Sequence, residues 1–282
     1  MNSKIFILLP VHNRREKTAQ FIDKLKDQTY QKFHLVLIDD GSTDGTAEMV
    51  QEQISSCTVI RGRGDWWWAG SLQQGYDWLR SHDTPLNDMV LIINDDTEIG
   101  PDFLEKGKTI LEQQEGTLLL AQAYDLHSGR LTDVGVRSNW KRITFTQAES
   151  QEEIDCLSTR GLFLRVGDFF RIGGFYPALL PHYLSDYEFT IRAHRKGLRL
   201  ITDPSLKIWV DEEATGYRVI EKRSLIAHLK KNFSRKSMSN PLAWTYFIAL
   251  ACPWPWKVTG WIIVWKRSLC QTFQDVYGRP AA

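Results

Sequence analysis

Apolar residues in the first third of the chain come in short unbroken runs: Ile5-Phe6-Ile7-Leu8-Leu9, Leu35-Val36-Leu37-Ile38 and Val90-Leu91-Ile92-Ile93. Runs of this length without alternation predict strands covered on both faces, the habit of parallel sheets. Cys57 to Ile60 is a weaker fourth. Between the runs lie patterns of helical period. Thr18, Phe21, Ile22 and Leu25 recur at i, i+3, i+4 and i+7, and Leu72, Tyr76 and Leu79 repeat the pattern in a helix predicted to begin near Gly70. Strand and helix alternate from residue 4 to about 115, which predicts a doubly wound α/β domain. Shorter strand-like pieces with glycine turns, such as Ser128-Gly129, follow to about 165. A glycine-containing segment, Gly167 to Gly174, then leads to a predicted helix from Asp186 to Lys196, closed by Gly197 in the C′ position.

In such sheets ligands sit at the carboxyl ends of the strands. The first run is followed by Pro10-Val11-His12-Asn13-Arg14, the second by Asp39-Asp40-Gly41-Ser42-Thr43-Asp44-Gly45. The Cys57 run is followed by Arg61-Gly62-Arg63-Gly64-Asp65, the Val90 run by Asn94-Asp95-Asp96. All four ends are polar and two carry adjacent carboxylates, so four loops are expected to converge on one rim.

Composition narrows the classes. The 282 residues carry a formal net charge of +1, with 43% hydrophobic and 24% charged residues, as in an ordinary globular protein. A near-zero balance gives no whole-protein attraction to nucleic acid. The four cysteines (Cys57, Cys156, Cys252, Cys270) lie far apart with no CxxC or CxxH spacing, which argues against a zinc site or disulfide framework and for a reducing compartment. The apolar run ended by Pro10 is too short for a signal peptide, so none is expected.

Each carboxylate pair has a plain reading and a chemical one. Asp39-Asp40-Gly41-Ser42 is built of turn formers, with Ser42 or Thr43 available as a helix cap. A carboxylate there also accepts an N–H from a ligand base. Asn94-Asp95-Asp96 reads as a turn or as hard oxygen ligands for Mg²⁺ or Mn²⁺, which typically take one or two carboxylates plus phosphate oxygens. No GxxxxGK[ST] or GxGxxG loop is present, so P-loop and dinucleotide chemistry are not indicated.

Together, Pro10-Val11-His12-Asn13, Leu37-Ile38-Asp39-Asp40-Gly41-Ser42-Thr43-Asp44 and Asn94-Asp95-Asp96 resemble the family 2 glycosyltransferases of GT-A fold. Thr159-Arg160-Gly161, Gly173-Gly174-Phe175, Pro181-His182-Tyr183 and Ser185-Asp186-Tyr187-Glu188 are similar as well, so the likeness runs from about residue 4 to 216. The resemblance implies a GT-A type, nucleotide-binding, doubly wound mixed sheet over residues 1–218. It also implies an inverting, metal-dependent transfer of a hexosyl-type sugar from a nucleotide-diphosphate donor. By position, Pro10, Val11, His12 and Asn13 would form the loop under the nucleotide and Asp40 would contact the base. Arg63, Asp65 and Trp68 fall beside the donor with Asn94 and Asp95. Asp96 would hold Mn²⁺ or Mg²⁺. Asp186 would be the general base, with Ser185 where the family often has Glu, and Glu188 as the second candidate. His182 and Tyr183 fall on the acceptor-side loop. Related enzymes often complete the metal site with a later His; this chain has none between His194 and His228, leaving Asp211 as a substitute or the third ligand missing. A UDP- or dTDP-sugar suits a single base-contacting Asp.

Tryptophan is the compositional anomaly, with 11 residues. Trp66-Trp67-Trp68 cannot all face one core, so at least one ring is expected near the rim. Trp244, Trp254, Trp256, Trp261 and Trp265 lie in the tail, residues 219–282, after a basic stretch containing Lys222, Arg223, Lys230, Lys231, Arg235 and Lys236. Pro253 and Pro255 break any single membrane span. The tail is therefore expected to form two short helices, either on an anionic membrane surface or packed as a helical subdomain or oligomer face. The expected protein is an enzyme at the cytoplasmic face of the membrane that extends a glycan or lipid-linked acceptor. A non-catalytic, glycosyltransferase-like binding or scaffold protein is the second reading, which loss of the base or of the carboxylate pair would favour. A nucleotidyltransferase or phosphatase on a similar α/β sheet is the third, with Asp44-Gly45-Thr46 pointing to a phosphatase loop.

Overall fold

The structure, a computed structural model, describes residues 3–211, 230, 232–235 and 237–277. One nine-stranded sheet organises the chain. Strands β1 (Ile5–Val11), β2 (Phe33–Asp39), β3 (Cys57–Arg61) and β4 (Met89–Ile92) run parallel, in the order β3-β2-β1-β4. The unbroken apolar runs are explained by burial on two sides. In β1, Ile5, Ile7 and Leu9 pack toward α1 (Arg15–Lys26), α2 (Thr46–Gln53) and α4 (Phe103–Glu112), while Phe6 and Leu8 pack toward α3 (Trp67–Ser81) and α5 (Val166–Ile172). All five are at most 7% exposed.

Beyond β4 the sheet is mixed rather than parallel throughout. β10 (Leu162–Arg165) lies antiparallel between β4 and β6 (Thr117–Asp125); β11 (Arg199–Val210) runs parallel to β6, and the short β5 (Thr97–Ile99) closes the edge antiparallel to β11. β7 (Leu131–Asp133) hangs off β6, and β8 (Val136–Asn139) pairs with β9 (Thr144–Gln147) as a separate hairpin. This polarity fixes the site. β10 enters where β4 leaves, with Leu162 opposite Ile92, so Thr159 to Gly161 land on the rim that carries the exits of β1 to β4. The end of β11 and the start of β5 meet there too, Val210 opposite Thr97. Helix α6 (Ser185–Arg195) supplies the remaining wall.

The C-terminal region is a helical hairpin. Asn240 caps α7 (Pro241–Ala251), its side chain accepting from Leu242 N and Ala243 N, with Pro241 at the first helical position. Phe247 and Ala251 pack beside Leu180 and Ile191, and Arg195 at the end of α6 donates to the Leu250 and Ala251 carbonyls. After a turn at Trp254–Trp256, α8 (Lys257–Tyr277) returns along α7, with Val264 against Ile248 and Cys252. The packed-subdomain expectation describes α7. The expected domain limit at 218, the acidic stretch after Asp211 and most of the basic stretch from Glu221 lie outside the described residues. Among the described residues no helix is long and apolar enough to cross a membrane.

Candidate active site

The loops after β1 and β2 are tied to each other. His12 Nδ1 lies 2.6 Å from the Asp40 carbonyl oxygen. Asn13 N donates to Ser42 Oγ (2.9 Å), and Asn13 Oδ1 accepts from Thr43 N (2.8 Å). Asn13 holds φ +51, a left-handed conformation that Asn tolerates. Ser42 thus serves the loop rather than a helix; Asp44 makes the capping bond, to Thr46 N. Pro10 and Val11 end β1 at this point.

Asp40 is 7% exposed. Its carboxylate accepts from Gly64 N (2.8 Å), Trp66 N (2.9 Å) and Trp67 N (3.2 Å). The last two are the N–H groups of the N-cap residue and the first residue of α3, which have no partner within the helix. Asp40 therefore caps α3 from another strand, and the helix begins at Trp67, three residues before the predicted start. The loops touch so closely that a Cβ on Gly41, at φ +76, would sit 2.7 Å from Gly64 N. Arg63 and Asp65 are exposed on this loop. Asp40→Ala is expected to cost about 1–3 kcal/mol of stability by leaving buried donors unpaired, and to weaken UDP binding through loss of loop shape. Denaturant unfolding and calorimetric titration of the same variant check both; unchanged UDP affinity would confine Asp40 to the fold.

The tryptophan triplet divides its work. Trp66 covers Gly62 and Gly70. Trp68, expected beside the donor, donates its Nε1 proton to Thr159 Oγ1 (3.0 Å) and so ties α3 to the loop entering β10. Trp67 is the rim ring, edge-on to His182 with centroids 6.2 Å apart. It adopts φ +58, and Leu184, across the cleft, adopts φ +68. Left-handed backbone at bulky residues is strained and clusters at functional sites.

Asp95 and Asp96 follow β4. Arg14 straddles them, Nε 3.1 Å from Asp95 Oδ1 and one terminal nitrogen 3.1 Å from Asp96 Oδ2. Thr18 Oγ1 donates to Asp95 Oδ2 (2.8 Å). Burial still holds the Asp95 carboxyl above the ordinary Asp range, against the pull of Arg14 and Thr18. Asp96 Oδ1 and Asn94 Oδ1 are both buried without a hydrogen-bond partner. Two unsatisfied hard oxygens at one strand end fit Mg²⁺ or Mn²⁺. Asp211 follows the residue opposite Thr97, but its carboxylate lies 3.6 Å from His127 Nε2. Among the described residues, no three His, Cys, Asp or Glu side chains gather into a metal-holding group. A bound ion would take its remaining ligands from donor phosphates or water.

Asp186 stands on the first turn of α6, half-buried. Thr159 N donates to its Oδ2 (3.4 Å), and Ser185 Oγ, from the position where a Glu was expected, reaches its Oδ1 at 3.0 Å. The helix dipole is expected to keep this carboxylate ionised. Instead its pKa is raised above the ordinary Asp value, because desolvation exceeds the lowering pull of the Ser185 and Thr159 hydrogen bonds. Glu188 is not available as a second base. It is 4% exposed and bidentate to Arg192 (both contacts 2.9 Å), which also donates to the Ile172 and Gly174 carbonyls. That network clamps α6 to the Gly173 turn. His182 and Tyr183, centroids 4.6 Å apart, line the cleft beside Trp67, and Ala69 N donates to Pro181 O (3.0 Å).

Arg14, Thr18 and Thr159 carry roles that sequence reasoning did not assign. The signal for Thr18 is its place as the polar member of the buried α1 stripe; Arg14 and Thr159 adjoin motif residues.

A model of the family described as Glycosyl transferase family 2 matches residues 6–166. An uncharacterized glycosyltransferase of Rickettsia bellii is 34% identical over 50 residues, 18% of this chain and 7% of that protein. The undecaprenyl-phosphate 4-deoxy-4-formamido-L-arabinose transferase of Proteus mirabilis is 36% identical over 53 residues, 18% of this chain and 16% of that protein. The chain thus spans only a small part of these curated relatives. Among solved structures, the mannosyltransferase PcManGT from Pyrobaculum calidifontis, in complex with GDP-Man and Mn²⁺, superposes with TM-score 0.58 at 16% identity, covering 97% of this chain and 72% of that one. S. aureus TarS 1-349 in complex with UDP-GlcNAc gives 0.59 at 14% identity, over 97% and 81%. At such identities the likeness is one of fold.

Proposed function

This chain belongs to glycosyl transferase family 2, and from that premise we propose that it transfers a hexosyl-type sugar from a nucleotide-diphosphate donor, such as a UDP- or dTDP-sugar, to a hydroxyl of a glycan or lipid-linked acceptor, with inversion. One observation carries the reading: a half-buried carboxylate with a raised pKa, Asp186, shares a rim with buried Asp95 and half-buried Asp96 but stands on a different element. One group is thereby free to serve the acceptor while the others serve the leaving diphosphate.

The Pro10–Asn13, Asp39–Asp44 and Gly62–Asp65 loops form the donor wall, fixed by His12, Asn13 and Asp40. Asn94 and Asp96, with their unsatisfied Oδ1 atoms, would hold Mn²⁺ or Mg²⁺, which would supply positive charge to the departing diphosphate, while Asp95 anchors Arg14 and Thr18 beside them. Arg14 neutralises the same carboxylates at rest and lies within reach of that diphosphate. On the opposite wall Asp186 Oδ2 takes the acceptor hydroxyl proton as the hydroxyl attacks the anomeric carbon. Trp67, His182 and Tyr183 present ring faces and edges to a pyranose.

A donor panel with Mn²⁺ present tests the reading. The expected product is nucleoside diphosphate, released faster when acceptor is added. Release of pyrophosphate or inorganic phosphate, or binding of donors without turnover, would refute it.

A further inference from the structure

The hairpin of α7 and α8 turns one apolar stripe away from the protein. Trp254 is 81% exposed, Val258 62%, Ile262 62%, Trp265 38% and Leu269 58%. From Val258 the spacing is i, i+4, i+7, i+11, a single helical face. The opposite face is already spent: Gly260 meets Ile143 and Ile248, and Val264 packs against Ile248 and Cys252. The outward stripe does not contribute to the core, and a soluble surface rarely leaves so many large apolar side chains in line.

Charge indicates what covers it. Between Glu221 and Asp275 the sequence contains no Asp or Glu, while Lys and Arg recur throughout. Lys266 and Arg267 flank the stripe and are exposed, as are Lys230 and Arg235. Phe233, between those two in sequence, reaches the Trp265 ring at 6.4 Å, which brings the basic segment beside the middle of the stripe. An apolar line edged by cations, with Trp254 at one end and Trp265 in its middle, matches an anionic lipid interface. A second copy of this face would bring the same cations against each other.

We propose that the α8 stripe docks in the plane of an anionic membrane surface. The docked face connects to the catalytic cleft through few side chains. Trp265 Nε1 donates to Thr245 Oγ1 (3.1 Å); next to Thr245, Trp244 lies 5.8 Å from the Phe145 ring, which stacks on Tyr187 at 5.7 Å, one residue beyond Asp186. If the proposed sugar transfer holds, a surface resting on this stripe puts the base near the layer in which a lipid-linked acceptor is embedded; docking itself does not depend on that reading.

The test is co-sedimentation of the full chain with phosphatidylcholine vesicles, with and without phosphatidylglycerol. Light scattering and thermal melts are run on the same samples. The wild type is expected to bind the anionic vesicles and to lose part of that binding in high salt, since salt screens the cations and not the stripe. The triple variant Val258→Gln, Ile262→Gln, Leu269→Gln is expected to bind at least about tenfold more weakly with an unchanged melting temperature. Three outcomes overturn the proposal. The folded wild type ignores anionic vesicles; or it is a dimer that the triple variant splits; or the variant melts lower without losing lipid binding, which would mean that the chain covers its own stripe. Nucleoside diphosphate release by the triple variant without vesicles reports separately on the sugar-transfer reading.

Discussion

Asp186→Asn is expected to lower kcat by about 10²–10⁴-fold while nucleoside diphosphate affinity stays near wild type, the pattern of a proton acceptor that acts in the transition state. Asn keeps the size and an acceptor for Thr159 N but cannot take a proton. The raised pKa sets the pH dependence. Activity requires the ionised form, so kcat falls as pH drops through a pKa higher than that of an ordinary Asp. Stability moves the other way. A carboxyl whose folded pKa exceeds its unfolded value favours folding at low pH and loses that contribution as pH rises through the folded pKa. Above its folded pKa the native chain bears a desolvated charge that Asn does not have, so in that range the dead variant should melt higher than the wild type. Near-normal turnover in Asp186→Asn, with collapse in His182→Ala, would move the base to His182. A product that keeps the donor's anomeric configuration would exclude direct inversion.

Asp96→Ala is expected to reduce transfer by roughly 10³-fold, the scale of several kcal/mol of charge stabilisation on a leaving diphosphate. Calorimetry gives a readout that does not depend on turnover: Mn²⁺ binding in the presence of UDP should disappear with the variant. Asp95→Ala is a different experiment, because it takes the partner from the buried Thr18 hydroxyl and one of two from Arg14, and so tests the fold as much as the ion. Full activity of Asp96→Ala, or of the wild type in excess chelator, would overturn the metal assignment and leave the diphosphate's counter-charge to arginines of this rim such as Arg14.

The parts of the fold written in local pattern were legible. β1, β2 and β4 are buried on both faces, and double burial leaves an unbroken apolar run that no half-exposed strand imitates. β5 and β11 were not legible. β5 has three residues and sits at the sheet edge, and β11 crosses a register shift between Asp203 and Lys207, so neither shows a clean period. The start of α3 was misplaced for a related reason. A helix normally announces itself with Ser, Thr, Asp or Asn at its N-cap; here the N-cap is Trp66, the adjacent Asp65 is exposed, and the cap comes from Asp40, 26 residues earlier. The same bond gives Asp40 a structural task beside the donor contact expected of it. A carboxylate at a strand end looks the same in sequence whether it faces a base or three amides of its own chain. Glu188 was ambiguous until Arg192, one helical turn on, was found to occupy both of its oxygens.

The antiparallel insertion of β10 also has a consequence for the protein's birth. Arg14 and Asp96 lie 82 residues apart, and Trp68 and Thr159 lie 91 apart. A nascent chain that has emerged as far as β6 already owns the donor loops, yet β4 still has a bare edge where β10 belongs, and so does β6. Exposed strand edges of this kind recruit other chains. Until the residues of β10 leave the ribosome and slot between them, the half-made sheet keeps those edges open, and the rim has neither Thr159 nor a base.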